Sequence, residues 1–337
     1  MENKKLLVAS APHIVTDMST QKIMIMVLIA LLPSLCVSIY VFGIASLIMT
    51  LVCAIASVFF EWAWNKLMKK DQTVSDCSAL LTGVLIAFNM PSELPYWIAI
   101  LGCFVAIIII KQLYGGIGKN LVNPAITARV VLFISFATQM TTWPLPLGQT
   151  TTNEAGEVLT TGATPLGILA EGGDLLPNNG DLFLGLTGGS LGEISALALL
   201  TGGAFLVWKK IISPIIPLCF IGTVFVFAAI YYSIAGVPEA AVGYSALDMG
   251  IWHILAGGVM LGAIFMATDY VTSPSLPLGQ VIFGVGCGLI TMLIRIFGQY
   301  PEGVSFSILI MNVLCPLIND FAEKRQIQRE LKKGGLV

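Results

Sequence analysis

The sequence predicts an all-α polytopic membrane protein, and three observations carry that prediction. Of 337 residues, 56% are apolar and 11% are charged, against about 25% charged in a soluble domain. Mean hydropathy is +0.90. Long apolar runs recur along the chain, and the basic residues gather on one side of them. So little charge cannot cover a soluble surface, which excludes a cytosolic enzyme. Abundant aliphatics exclude disorder, and a net charge of −2 leaves no basic excess for nucleic acid.

The N-terminal stretch holds Lys4, Lys5, Pro12, His13 and Asp17, with no short apolar segment and cleavage site, so no removable signal peptide is expected. The seven cysteines lie in or at the ends of apolar runs and form no C-x-x-C pair. They read as small helix residues, and no metal site is expected.

A bilayer crossing takes about 20 apolar residues. Ten runs approach that length: 23–42, 44–64, 77–90, 95–111, 121–138, 191–208, 213–235, 251–268, 279–297 and 304–321. Two are irregular. The run at 77–90 is short and stops at Asn89-Met90-Pro91, and 121–138 carries Arg129 after a glycine-rich turn. Either reads as a broken or re-entrant half-helix, which is tolerated only inside protein.

Charge placement orients the ten. With the N-terminus inside, the inner segments collect Lys4, Lys5 and Lys22; Lys66, Lys69 and Lys70; Lys111 and Lys119; Lys209 and Lys210; and the tail from Lys324 to Lys333. Only Arg129 and Arg295 fall inside spans, and the outer loops hold no Lys or Arg. Basic residues near span ends resist translocation, so both termini are expected in the cytoplasm.

The organisation expected is a five-helix half (1–138), a long extracytoplasmic loop (139–190), a second five-helix half (191–322) and a basic tail (323–337). The loop is rich in Gly, Thr and Pro and carries Glu154, Glu157, Glu171, Asp174 and Asp181. A structureless loop of that length is either functional or disordered. The two halves look related. Gly83 to Asn89 precedes Ser92 to Pro95, and Gly262 to Thr268 precedes Ser273 to Pro277; a glycine-rich turn follows the next span in each. An offset of five spans makes the two units inverted repeats.

The sharpest local feature is Thr161-Gly162-Ala163-Thr164-Pro165 in the loop. It reads in two ways. Thr, Gly and Pro are ordinary turn residues. Alternatively Thr164 is a modification site, presented on an exposed and flexible segment. No His or Lys adjoins it to activate the hydroxyl, so a nucleophilic triad is not indicated and no catalytic residue is assigned.

Three stretches in order carry a resemblance. They are Thr161 to Thr164, Tyr114 to Ala125 (with Gly115-Gly116-Ile117-Gly118-Lys119-Asn120 and Asn123-Pro124), and Gly262 to Asp269 followed by Arg295 to Gly303 and Met311 to Ile318. Together they resemble the family of the Rnf D subunits, from ion-translocating ferredoxin:NAD oxidoreductases, and of their paralogue, the B subunit of the sodium-pumping NADH:quinone oxidoreductase. The short extension before the first span favours the Rnf branch. The resemblance implies FMN held through a phosphoester to Thr164, with Thr161, Gly162 and Ala163 completing the recognition element. It also implies a flavin transferase for maturation, other membrane and peripheral subunits as partners, and a second, non-covalent flavin (riboflavin or FMN). A phosphodiester keeps one negative charge. With no basic residue in the loop, backbone N–H groups are its expected donors.

Other residues carry paired readings. Arg129 costs about 2.5–3.5 kcal/mol at a helix centre, and it is either a cofactor contact or half of a structural pair. Gly115, Gly116 and Gly118 either open a half-helix onto a cofactor, with Asn120 and Asn123 as polar ligands, or let helices pack closely. Asp269 reads as a solvated helix-end carboxylate, with cofactor contact as the alternative. His253 reads as interfacial packing and Glu61 as a snorkelling carboxylate. The glycines at 284, 286 and 288 lie in a span, so they read as helix packing and no nucleotide fingerprint. Two functions follow. One is a membrane flavoprotein subunit that relays electrons between ferredoxin and NAD while Na+ or H+ is exported; the other is an inverted-repeat channel or secondary transporter.

Overall fold

A computed structural model describes residues 18–149, 151–152, 158–159, 161–171, 176–298 and 302–333. It is helical. The first half holds α1 (Thr20–Phe42), α2 (Ile44–Leu67), α3 (Ser78–Phe88), α4 (Tyr96–Phe104) and α5 (Pro124–Ser135), with α4 extended by a π-helical stretch at Val105–Gln112. The long loop is not structureless, for it carries α6 (Ala137–Thr141), α7 (Pro165–Glu171) and α8 (Asn179–Leu184). The second half holds α9 (Ala196–Trp208), α10 (Ile215–Ala235), α11 (Ala246–Leu255), α12 (Val259–Leu261), a π turn at Gly262–Met266, α13 (Pro277–Phe297) and α14 (Val304–Lys333).

Five of these helices are long and apolar enough to cross a membrane: α1, α2, α10, α13 and α14. The run at 251–268 forms part of a sixth, bent by 64° between α11 and the 259–266 stretch. The other four expected runs yield shorter apolar helices. At 1.5 Å per residue, the 11 residues of α3 and 12 of α5 reach about half of a ~30 Å hydrocarbon core. Both irregular runs are half-length helices.

Local chemistry sets these ends. Ser19 caps α1 by accepting from the Lys22 amide at 3.3 Å, and Gly43, at φ +74°, turns the chain from α1 into α2 with a single residue. Asn123 caps α5 by accepting from Ala125 N at 3.0 Å and Ile126 N at 3.3 Å, and Pro124 takes the first helical position, where no N–H is needed. Pro95 precedes α4 and Pro277 opens α13.

Small residues set the helix spacing. A Cβ at Gly202 of α9 would lie 2.1 Å from the Ala30 carbonyl of α1. On α13, Gly284 and Gly288 meet the α10 backbone and Gly286 meets Met311 of α14, so this trio packs helices as expected. α2 packs on α3 and α4, α10 on α11 and α13, and α9 on α1.

Within the loop, two short antiparallel ladders join Trp143–Pro144 to Thr161–Gly162 and Thr151–Thr152 to Val158–Leu159. At the other end of the chain, residues 323–333 continue α14.

Candidate functional site

Two polar regions lie inside the apolar bundle, one near the loop and one near the basic segments. The first is built on the break in α11–α12. The chain unwinds at Ala256-Gly257-Gly258, with Gly257 at φ +67°, and frees carbonyls that bilayer cannot satisfy. Arg295 of α13 supplies the donors: Nη1 donates to His253 O at 2.6 Å and Nη2 to Ala256 O at 2.8 Å. Its Nε has no partner.

Arg129 of α5 reaches the same level. It donates to Asn89 Oδ1 at 3.0 Å and to the Glu302 carboxylate. Of its two expected readings, the structural pair is the one observed. Glu193 joins from the chain before α9: its Oε1 accepts from Ser190 N at 3.4 Å, while Oε2 is buried without a partner. A Cβ on Gly258 would lie 2.6 Å from that oxygen and 3.6 Å from Arg129 Nη1, so the helix break brings acid and base together. Burial pushes the Glu302 carboxyl up to about 7, against the opposing pull of Arg129.

Thr164 sits over this cluster. It is 6% exposed, so the expectation of an exposed hydroxyl is overturned. The cause is local: Thr164 precedes α7, its Oγ1 accepts from Gly167 N at 3.1 Å, and Leu166 of α7 is buried against Gly257. Thr164 shares a cavity of about 20 Å³ with Glu193, Gly257 and Glu302. Thr161 and Gly162 form the strand paired with Trp143–Pro144, and Ala163 links that strand to Thr164. A larger cavity of about 450 Å³ adjoins across Leu166, walled by Tyr232, His253 and Arg295.

The second region lies between Ser78, Lys111, Asn120, Asn123, Thr268 and Asp269, around a cavity of about 110 Å³. Asn123 Nδ2 donates to Met266 O at 3.1 Å, and Asn120 Oδ1 is buried with no partner. Asp269 is half-buried at the rim of this cavity, where it accepts from Thr272 Oγ1 at 3.0 Å. Gly115 and Gly116 take positive φ in the preceding turn and line no part of this cavity. Nor do they space helices. The first amides of α5 are taken by Asn123, so that helix end presents no free donors to a cofactor.

Behind Lys111 lies a buried pair. Lys111 Nζ donates to Glu61 Oε1 at 2.9 Å and to Ser78 Oγ at 2.6 Å, and Gln112 and Thr73 also donate to Glu61 Oε1. Glu61 is 1% exposed. It does not snorkel, because the π-helical stretch brings two donors across to α2.

The broken helices, the buried acid–base pairs and the buried threonine draw on both ends of the described residues, and the match with known proteins covers nearly the whole chain. Residues 7–328 match the model of the NQR2, RnfD, RnfE family. The chain belongs to that family. Among its relatives, it is 47% identical to the D subunit of the Na(+)-translocating ferredoxin:NAD(+) oxidoreductase complex of Acetobacterium woodii, over 98% of this chain and 100% of that one. It is 39% identical to the D subunit of the proton-translocating ferredoxin:NAD(+) oxidoreductase complex of Clostridium ljungdahlii, covering 94% of each. Identity is 40% to the D subunit of the ion-translocating oxidoreductase complex of Stutzerimonas stutzeri, over 95% of each.

In this member of the NQR2, RnfD, RnfE family, the three recognisable stretches fall at distinct places. Tyr114 to Ala125 makes the turn and cap at the inner cavity. Gly262 to Asp269 makes the π turn between the two polar regions, and Thr161 to Thr164 closes over the outer cluster. Sequence reasoning missed Glu193, Glu302 and the tie between Arg295 and the helix break. A signal existed for Glu302, since a buried Arg129 calls for a carboxylate and Glu302 stands in the 295–303 stretch.

Proposed function

We propose that this chain is the D subunit of an ion-translocating ferredoxin:NAD oxidoreductase complex, a multi-pass membrane flavoprotein incomplete without its partner subunits. The observation that carries this reading is the 47% identity over essentially the full length of both chains to a relative of that name. The two relatives named for an ion differ, one for Na+ and one for the proton, so the exported ion is Na+ or H+.

The finer reading adds FMN attached through a phosphoester to Thr164, installed by a flavin transferase. Its support is the Thr161-Gly162-Ala163-Thr164 element and the unpartnered buried atoms nearby, His253 Nδ1 and Arg295 Nε, which suit a polar cofactor. The flavin, when bound, supplies one- and two-electron chemistry. This chain's residues do the rest. Thr164 fixes the tether just before α7, and Arg295, tied to the carbonyls of the broken helix, holds positive charge below it, while the charge of Arg129 is paired with Glu302. α7 excludes water from that charge. The inner cavity offers Asn120, Asn123, Lys111 and Asp269 to a second flavin. At about 110 Å³ it is below the ~300–1,000 Å³ of ligand sites, so that flavin requires the cavity to widen.

The topology that fits is ten membrane segments in two inverted halves, with both termini in the cytoplasm of a bacterial inner membrane. Pro95 and Pro277 stand at the start of corresponding helices, α4 and α13. The packing of α2 on α3 and α4 parallels that of α10 on α11 and α13, and α1 meets its counterpart α9. An interface between inverted repeats is where transporter folds of this kind place their sites.

The test is flavin fluorescence in a denaturing gel of the complex made together with its transferase. The wild-type band of this chain fluoresces and the Thr164→Ala band does not. Fluorescence retained by that variant overturns the site; a dark wild-type band overturns the flavin reading.

A further inference from the structure

α14 carries two apolar stripes, and they part company where the helix leaves the bilayer. A crossing takes about 20 residues, so α14, which starts at Val304, clears the membrane near Lys324, its first basic residue. At 1.5 Å per residue, the stretch from there to Lys333 projects about 15 Å further. The inward stripe, Ile308, Met311, Cys315, Ile318 and Ala322, is buried, and Ile318 and Ala322 meet the start of α13 at Gly279. Past Ala322 its continuation is Arg325 and Arg329, both exposed. That stripe ends where the packing on this chain ends.

The outward stripe does not end there. Val313, Leu317, Phe321, Lys324, Ile327 and Leu331 follow one another at steps of three or four residues, which keeps them on one face. Inside the bilayer such a face meets lipid. Beyond it, Ile327 and Leu331 stay 56% and 38% exposed, in line with the stripe rather than scattered.

Lipid or protein could cover them, and the helix itself decides. A helix that lies in the membrane interface runs along the surface, whereas α14 is one helix from Val304 to Lys333, so its tail leads away from the bilayer. Steps of three and four are those of a helix–helix seam, in which a single polar residue fixes register. Lys324 is that residue. It pairs with Asp320 at 2.6 Å, with side chains 70% and 60% exposed, a surface pair of little strength that a partner can replace. Arg325 lies 5.8 Å from the centre of the Phe321 ring, so the seam and its edge present positive charge.

We propose that the outward stripe of the α14 tail is the docking seam for one helix of a neighbouring subunit. That helix crosses the membrane beside α14, continues past the surface with apolar residues at the same spacing, and sets a carboxylate against Lys324. The proposal rests on the reading above that this chain is one subunit of a membrane complex.

The experiment places a photo-crosslinking benzoyl-phenylalanine at position 327, 331 or 329 in the intact complex and identifies the products by mass spectrometry. Positions 327 and 331 are expected to join this chain to one helix of one other subunit, and position 329, on the opposite face, to give several-fold less of that product. Ile327→Glu with Leu331→Glu is expected to strip that subunit from the complex in mild detergent, and Lys324→Glu to weaken its retention. Where the double variant fails to assemble, the crosslink map decides. Lipid adducts, dimers of this chain or no product from 327 and 331, equal yields from all three positions, or full retention in the double variant overturn this proposal alone. A chain that purifies without other subunits overturns it together with the subunit reading.

Discussion

Arg129 and Glu302 pair across 173 positions of sequence, joining the half-helix α5 to the chain that enters α14. Arg129 also donates to Asn89 at the end of α3, so one guanidinium fastens three segments inside an apolar bundle. Removing one partner of such a pair strands the other charge, at about 3–5 kcal/mol. Arg129→Leu is therefore expected to lower the thermal midpoint of the detergent-solubilised complex sharply. Adding Glu302→Leu restores much of the loss. A single variant as stable as wild type contradicts the pairing.

Glu302 makes stability depend on pH. Burial raises its carboxyl from 4.5 to about 7 in the folded protein, so the folded state keeps a proton that the unfolded state has released. Stability then falls as pH rises through that window, because the folded state binds more protons there. Thermal melts across the window should show the fall in wild type and a flatter profile in Glu302→Gln. An identical slope in both contradicts the assignment.

At the opposite end, Lys111 and Glu61 lie 2.9 Å apart with side chains 3% and 1% exposed. Glu61 already leaves one oxygen without a partner, so it has no reserve when Lys111 is removed. Lys111→Met is expected to cost about 3–5 kcal/mol, and Lys111→Met with Glu61→Leu substantially less. A double-mutant cycle on thermal unfolding measures the coupling; additive effects contradict it.

Helix spacing gives a steric prediction. Gly202 has no room for a Cβ against Ala30 of α1, whereas Gly222 of α10 meets nothing within 4 Å. Gly202→Leu forces α1 and α9 apart, at about 1–3 kcal/mol or more for overpacking, while Gly222→Leu is tolerated. Assembly yield of the complex after mild solubilisation separates the two. Equal yields contradict the contact.

The sequence disclosed what depends on composition along the chain and concealed what depends on folding back. Apolar runs showed α1, α2, α10, α13 and α14, and Asn89-Met90-Pro91 showed that the run at 77–90 stops short. Run length could not show that the 251–268 segment breaks at Gly257, since its hydropathy is continuous and the Arg295 that satisfies the freed carbonyls lies about 40 residues further on. Glu61 was misread for the same reason. Its neighbours Trp62 and Trp64 suggested a membrane interface, while its partner Lys111 stands 50 residues away. The Thr161 to Thr164 element was legible as a motif. Its burial was not, because that follows from Leu166 of α7 packing on a glycine in a broken helix.

The most direct test of the central reading is mass spectrometry of the proteolytic peptide that contains Thr164, taken from the native complex. The account predicts an adduct equal in mass to FMN less one water, located on Thr164 and absent from Thr164→Ala. An unmodified Thr164 peptide from a fully assembled, active complex would contradict it.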